Sequence, residues 1–380
     1  MIVAVTLLFY TAVYVYVPTL PAYAGTLTAN LAVVGVILSM YGLWQTFSRL
    51  STGLAADWLG RRKPFIVAGL ALAATGALVM ASARSASALL AGRALTGVAA
   101  GVWVPLVVFF NSFFPRDEAI RATTILTLAT AVAGIAATSV TGVLNTIGGY
   151  PLAFVVSAGS AGLALLIALL IPEERLPRKA PSLPALWRLA VRRDLLVPAL
   201  LNGLGQYIYQ GIVVGFIPVA AVRAGIDDHA ISLITSLHLL VYTATLLANT
   251  RLVRRFRIQP LIFGEVAALA AGAACAALGP GLPWLMASSM LVGVGIGLGY
   301  PVLMGVALAR VQESERSSAV GLHQSTYAVG TFVGPWFSGM LAEHLGITTM
   351  FWITAVLALV LGLAGAAVVA RPRRMGGDED

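Results

Sequence analysis

STGLAADWLGRRKP, Ser51 to Pro64, gathers Asp57, Arg61, Arg62 and Lys63 between two long apolar runs. Gly53 and Gly60 permit a tight reversal there, because glycine enters backbone conformations that other side chains forbid. Taken alone it is a charged turn between two helices. The composition around it says where those helices reside. Of the 380 residues, 59% are hydrophobic and 10% charged, and the mean hydropathy is +0.91. Soluble domains carry roughly 25% charged residues, so this is a polytopic membrane protein. The net charge of +9 falls in short loops between apolar runs, not on one basic face, so it reads as an orientation signal and not as a nucleic-acid surface. The single Cys275 sits in an apolar run and supports neither a disulfide framework nor a cysteine metal site.

Crossing a hydrocarbon core of about 30 Å takes about 20 apolar residues. Twelve such runs are legible, at 1 to 24, 30 to 50, 64 to 83, 87 to 113, 119 to 147, 150 to 172, 195 to 222, 229 to 250, 258 to 279, 282 to 309, 317 to 342 and 347 to 370. Ala22-Tyr23-Ala24 imitates a signal-peptide cleavage site, but no basic residue precedes Arg49, so a first span is the better reading. With both termini in the cytoplasm, 21 of the 24 Lys and Arg residues lie inside, Arg84 and Arg223 lie outside, and Arg93 lies within a span. That asymmetry supports an even number of spans.

Residues 173 to 194 form a cytoplasmic linker in which prolines and charges break any continuous membrane helix. Within it Leu186, Trp187, Leu189 and Ala190 form either a short interfacial helix or part of a solvated connection. The halves on either side, 1 to 172 and 195 to 370, repeat, and 371 to 380 is a cytoplasmic tail. Pro64, Gly97, Gly101, Pro105 and Gly134 recur as Pro260, Gly293, Gly297, Pro301 and Gly330, each 196 residues on, and Pro21 recurs as Pro218 after 197. The loops PRDEAIRATTIL from Pro115 and VQESERSSAVGL from Val311 answer each other in the same way.

Gly53, Leu54, Asp57, Gly60, Arg61, Arg62 and Lys63 resemble the loop between the second and third spans of major facilitator superfamily transporters, with Trp58 where that family usually has Arg or Lys. The resemblance implies an all-α membrane protein of twelve transmembrane helices in two pseudo-symmetric six-helix bundles, related by an axis along the membrane normal. It also implies a gating role for Gly53, Asp57, Gly60, Arg61 and Arg62, with Asp57 near the N-terminus of span eleven at Ser317 and Ser318. There the helix dipole favours negative charge by roughly 0.3 to 1 kcal/mol. Gly330, Gly334, Pro335 and Gly339 in span eleven resemble the GxxxGP signature that drug:proton antiporters carry in span five. Here span five has Gly134 and Gly142 but no GP pair.

Polar groups at membrane depth are the substrate-site candidates, because unpaired ones are costly there. Arg93 lies about 9 Å along span four from Ser87 and shares a face with Gly97 and Gly101. It is either a cavity counter-charge or an arginine bonded to a neighbouring span, and it resembles the family's span-four arginine in its RxxxG context. Asn202, Gln206 and Gln210 form an amide stripe on span seven beside Tyr207 and Tyr209. Span eight offers His238, Tyr242, Thr245 and Asn249, span eleven His323, Gln324 and Tyr327, and the first half Tyr10, Tyr14 and Trp103 as aromatic walls. Each of these alternatively serves helix packing.

Proton coupling usually needs a titratable group at depth. The first half has no acid inside a span, and in the second half only Glu265 qualifies, about 12 Å beyond Arg257. His238 and His323 are the other coupling candidates. No phosphate loop, HExxH or clustered Cys, His and carboxylate set is present, so neither an enzyme nor a cofactor or metal is expected. The expectation is a monomeric transporter of the plasma membrane that moves a small organic solute by alternating access, with the lipid bilayer and protons as partners. Proton-linked efflux of amphipathic compounds leads. Uptake of a polar metabolite or organic anion, and a non-transporting sensor on the same fold, are the alternatives.

Overall fold

The computed structural model describes residues 1–114, 118–173, 188–312 and 315–370. Among these, all regular structure is helical. Nine described helices are long and apolar enough to cross a bilayer. One of them, Thr124–Leu170, is two spans joined end to end, because the backbone leaves helical geometry at Gly148 and Gly149, the latter at φ 67°. Ile2–Tyr14 and Leu20–Leu27, with the Pro18 turn between them, make the first span, and Arg316–Leu345 makes the eleventh. The total is twelve.

The opening stretch differs from the sequence reading. Span two runs from Leu31 to Leu59, well past the expected residue 50, so most of STGLAADWL is helix. The turn itself is only Gly60 to Arg62, where Gly60 adopts φ 68° and closes the helix in the left-handed conformation that glycine tolerates best. Pro64 then starts the next helix in its first turn, where a missing N–H costs nothing. Three side chains cap helices at the opposite end of the bundle. Asn30, Ser85 and Asp227 accept bonds from the N–H groups of Val33, Ala88 and Ala230. Each cap contributes about 1 kcal/mol.

The loop bases hold the first six spans together. Arg61 bonds Glu173 at 2.6 Å, and that hydrogen bond and charge raise the guanidinium pKa above its ordinary value. Lys63 donates to the carbonyls of Leu169 and Ile171 at 2.7 Å, capping the end of span six. Arg62 is buried and pairs with Asp57, which is half exposed. Buried apolar side chains such as Phe9, Leu70, Leu106 and Leu126 fill the interior of these spans, and Ile208, Phe216, Ile234 and Phe351 fill that of the later ones. Of the linker, Leu186 and Trp187 lie outside the described residues. Leu189 is buried against Leu195 and Ala319, so protein and not a membrane surface covers it.

Spans two and eleven and spans five and eight join the halves most closely at the end opposite the arginine-rich loops, where spans one and seven also touch. Spans two and eleven meet backbone to backbone, since a Cβ on Gly339 would stand 2.9 Å from the Gly35 Cα, and the Leu31 N–H donates to Glu343 at 2.6 Å. Spans five and eight meet where Gly142 lies on the backbone of Asp228 and His229. Thr138 bonds Ser236 at 2.8 Å and Asn145 donates to Asp228 at 2.9 Å, completing the contact. Towards the basic end spans five and eight separate.

A side chain at Gly339 should therefore prop this end open. In Gly339→Leu, a disulfide between cysteines placed at Leu31 and Glu343 should form at a small fraction of the rate in the unpropped background, read by mobility shift after mild oxidation.

Candidate functional site

Between the separated helices lies a cavity of about 1650 Å³. Exposed Arg193, Arg254 and Arg310 stand at its mouth, on the basic end, and Tyr14, Gln206, Tyr209, His238, Tyr242 and Tyr327 line its depth. A second chamber of about 40 Å³ adjoins it, walled by Arg93, Tyr41 and Gln210 together with Tyr14 and Tyr209, which line both spaces. Residues from the two halves thus face one another across a common interior.

Arg93 reaches that chamber because span four can lie almost on span two. A Cβ on Gly97 would be 2.8 Å from the Tyr41 carbonyl oxygen, so the glycine brings the guanidinium to 4.4 Å from the Tyr41 ring centroid. Nη1 donates to the Tyr16 hydroxyl at 3.1 Å, while the buried Nε has no partner. Arg93 is 4% exposed, and among the described residues no acid pairs with it. A desolvated cation–π contact is worth roughly 2 kcal/mol, against an effective penalty of several kcal/mol for burying one ion. The charge is therefore held but not neutralised.

The amide stripe divides. Successive positions four apart on an α-helix drift by about 40°, and from Tyr209 to Phe216 span seven widens into a π-helical turn. Gln206 faces the main cavity and Gln210 the small chamber. Asn202 instead donates to His323 Nε2 at 2.8 Å and to the Tyr300 carbonyl at 3.4 Å, between spans ten and eleven. Gln324 accepts from Arg49 at 3.5 Å, and Trp103 packs edge-on against Tyr10 at 5.6 Å. Neither lines the cavity.

The coupling candidates also separate. His238 lines the cavity and stacks on Tyr209 at 4.4 Å. Its Nδ1 lies 3.0 Å from the Ser289 carbonyl, which can only accept, so the proton sits on Nδ1 and Nε2 is free to take another. His323 is buried against Asn202 with Nδ1 unpartnered. Glu265 lies off the cavity, its carboxyl pressed over Gly299 and its Oε2 unpartnered. Asp57 is bonded to Arg62 as described, and the side chains of Ser317 and Ser318 lie outside the described residues.

Arg49 is a further candidate that the sequence reading treated only as an orientation charge. Because span two extends to Leu59, Arg49 lies ten residues inside that helix, within electrostatic reach of the Tyr14, Tyr41 and Tyr327 hydroxyls. Its buried Nε has no partner. The signal was obscured by Gly53, which reads as a turn residue but lies inside the helix, packed against Val104 of span four.

Twelve spans in two repeated halves, with a cavity lined from both, have the build of a membrane carrier. The Major Facilitator Superfamily model matches residues 2–225 and 199–379, and the chain belongs to that family. Membership makes it a small-molecule transporter of a membrane, and not an enzyme. A chloramphenicol efflux pump of Mycobacterium tuberculosis (strain CDC 1551 / Oshkosh) is 26% identical over 388 residues, covering 95% of this chain and 88% of that protein. The lincomycin resistance protein LmrB of Bacillus subtilis (strain 168) is 34% identical over 96 residues, 24% of this chain and only 20% of its own length. In fold, the nucleoside transporter NupG superposes with a TM-score of 0.79 at 18% identity, covering 98% of each chain. A POT family transporter in complex with 5-aminolevulinic acid gives 0.82 at 10% identity, over 97% of this chain and 96% of that one.

The division of the amides makes opposite demands on two variants. Asn202→Ala strands a buried histidine and should lower stability by about 1–3 kcal/mol, seen as an earlier thermal transition of the purified protein. Gln206→Ala should leave the transition nearly unmoved and change substrate affinity.

Proposed function

We propose that this chain exports amphipathic small molecules from the cytoplasm in exchange for protons, by alternating access between residues 1 to 172 and 195 to 370. The observation that carries the reading is a single cavity open at the basic end and closed at the other by spans two with eleven and five with eight. If the basic loops face the cytoplasm, as the charge asymmetry favours, the molecule is inward-open with both termini cytoplasmic, in the plasma membrane. The mostly apolar and aromatic lining suits an amphipathic solute, and the names of the efflux relatives support the direction. One chain contains both halves of the cavity, so a monomer suffices.

His238 is the preferred proton carrier, because of the three candidates it alone lines the cavity. Asp57 is the preferred gate. Its carboxylate is half exposed although Arg62 is buried, so turning it towards span eleven when the basic end closes would release a buried guanidinium, a cost that sets the gate's resistance.

In proteoliposomes, an imposed pH gradient should drive uptake or release of chloramphenicol or another amphipathic drug, and His238→Gln should abolish the gradient's effect. Flux indifferent to pH in the parent protein would remove the proton claim; no flux across a broad panel would remove export itself. Asp57→Asn should insert normally yet transport more slowly, and a wild-type rate would leave the loop as an orientation signal alone.

A further inference from the structure

The small chamber is sized and charged for one end of a ligand. Its roughly 40 Å³ holds little more than a single small group, whereas the adjoining cavity of about 1650 Å³ accommodates a whole organic body. Tyr14 and Tyr209 line both spaces, so only these two rings stand between a body in the large one and a group in the small one. On the chamber wall is Arg93, 4% exposed, with an unpartnered Nε and no acid paired with it among the described residues. Gln210 from the other half faces the same space.

A water molecule in this chamber would satisfy a hydrogen bond but leave the positive charge uncompensated. An anionic oxygen would satisfy both, through a charge-assisted bond of the stronger kind. The wall offers one guanidinium, which matches a single negative charge. The mouth agrees in sign: Arg193, Arg254 and Arg310 stand there against one acid, Asp194, which Arg192 already engages at 2.8 Å. The 196-residue repeat places Ser289 opposite Arg93 in the other half, so the cation on the chamber wall comes from one half alone.

We propose that the chamber of Arg93, Tyr41 and Gln210 is the head-group subsite for an amphipathic monoanion, a carboxylate or sulfonate whose apolar body occupies the main cavity. The proposal rests on the transporter reading and narrows it to a substrate class. Substrate charge is then recognised at the interface of the two halves, where closing the basic end would enclose it.

The test compares 2-naphthoate with 2-naphthamide, the same body with and without the charge, by calorimetric titration of the full chain in a non-ionic detergent. The parent protein should bind naphthoate about tenfold or more tightly than naphthamide, the range expected for one hydrogen bond to a charged group. Arg93→Gln should reduce naphthoate affinity to that of naphthamide, and Arg93→Lys should restore part of the difference. Equal affinities in the parent protein, no naphthoate binding at millimolar concentration, or a preference that survives Arg93→Gln would each overturn the proposal. The parent comparison needs no variant to fold. Because the titration reads binding without flux, a selective site in a protein that moves neither probe across vesicles would sink the transporter reading alone. Proton-driven flux with equal affinities would sink the anion subsite alone.

Discussion

Helices in a bilayer gain nothing by hiding apolar side chains from lipid tails that are equally apolar, so their association depends on how closely backbones can approach. This constraint decides the architecture here. Gly35 lies on Gly339, Gly142 on Asp228 and His229, and Gly97 on Met40 and Tyr41. The first two contacts close one end of the molecule, opposite the arginines at the cavity's mouth. The third brings span four near enough to span two for a guanidinium to rest on a tyrosine ring. Closure of the bundle and placement of its buried charge thus follow from the same residue type at different depths.

Much of this was legible in the sequence, because a 20-residue apolar run and a basic loop are strong signals. The twelve spans, the RxxxG face of span four and the prolines that start helices all appear where the pattern puts them. What was less legible depends on three dimensions. The end of span two was placed at residue 50 because Ser51 to Pro64, with Gly53 and Gly60, reads as a charged turn, yet the helix runs through Gly53 and stops only at Gly60. The break between spans five and six, by contrast, falls at Gly148 and Gly149, between the runs 119 to 147 and 150 to 172. The amides of span seven share a spacing of four, but the drift of that spacing and the π-helical turn send Asn202 to His323 while Gln206 and Gln210 face open space. Periodicity names a face; only the neighbours say what the face meets.

The halves repeat in backbone and diverge in chemistry. Gly97 and Gly293 make the same kind of contact, each lying on the backbone of the preceding even-numbered span, at Met40 and Tyr41 in one half and at His238 and Tyr242 in the other. At that shared position the first half carries a ring under an arginine, and the second carries an imidazole bonded to the Ser289 carbonyl. One scaffold therefore places a guanidinium in one half and an imidazole in the other. Under the proposed function, the first would meet the solute and the second the proton.

The loop at Ser51 to Pro64 shows the same economy on the surface. Arg61 and Lys63 are committed to the end of span six, by a 2.6 Å ion pair and two carbonyl bonds, and so fix the first six spans as a unit. Arg62 and Asp57 are tied only to each other, with the carboxylate half in solvent. In the second half, Val253 stands where Asp57 would be, and among the described residues Arg251, Arg254, Arg255 and Arg257 make no ion pair. Among the described residues an acid–base pair within the loop is therefore confined to one half, and the difference between the two loops reduces to a single carboxylate.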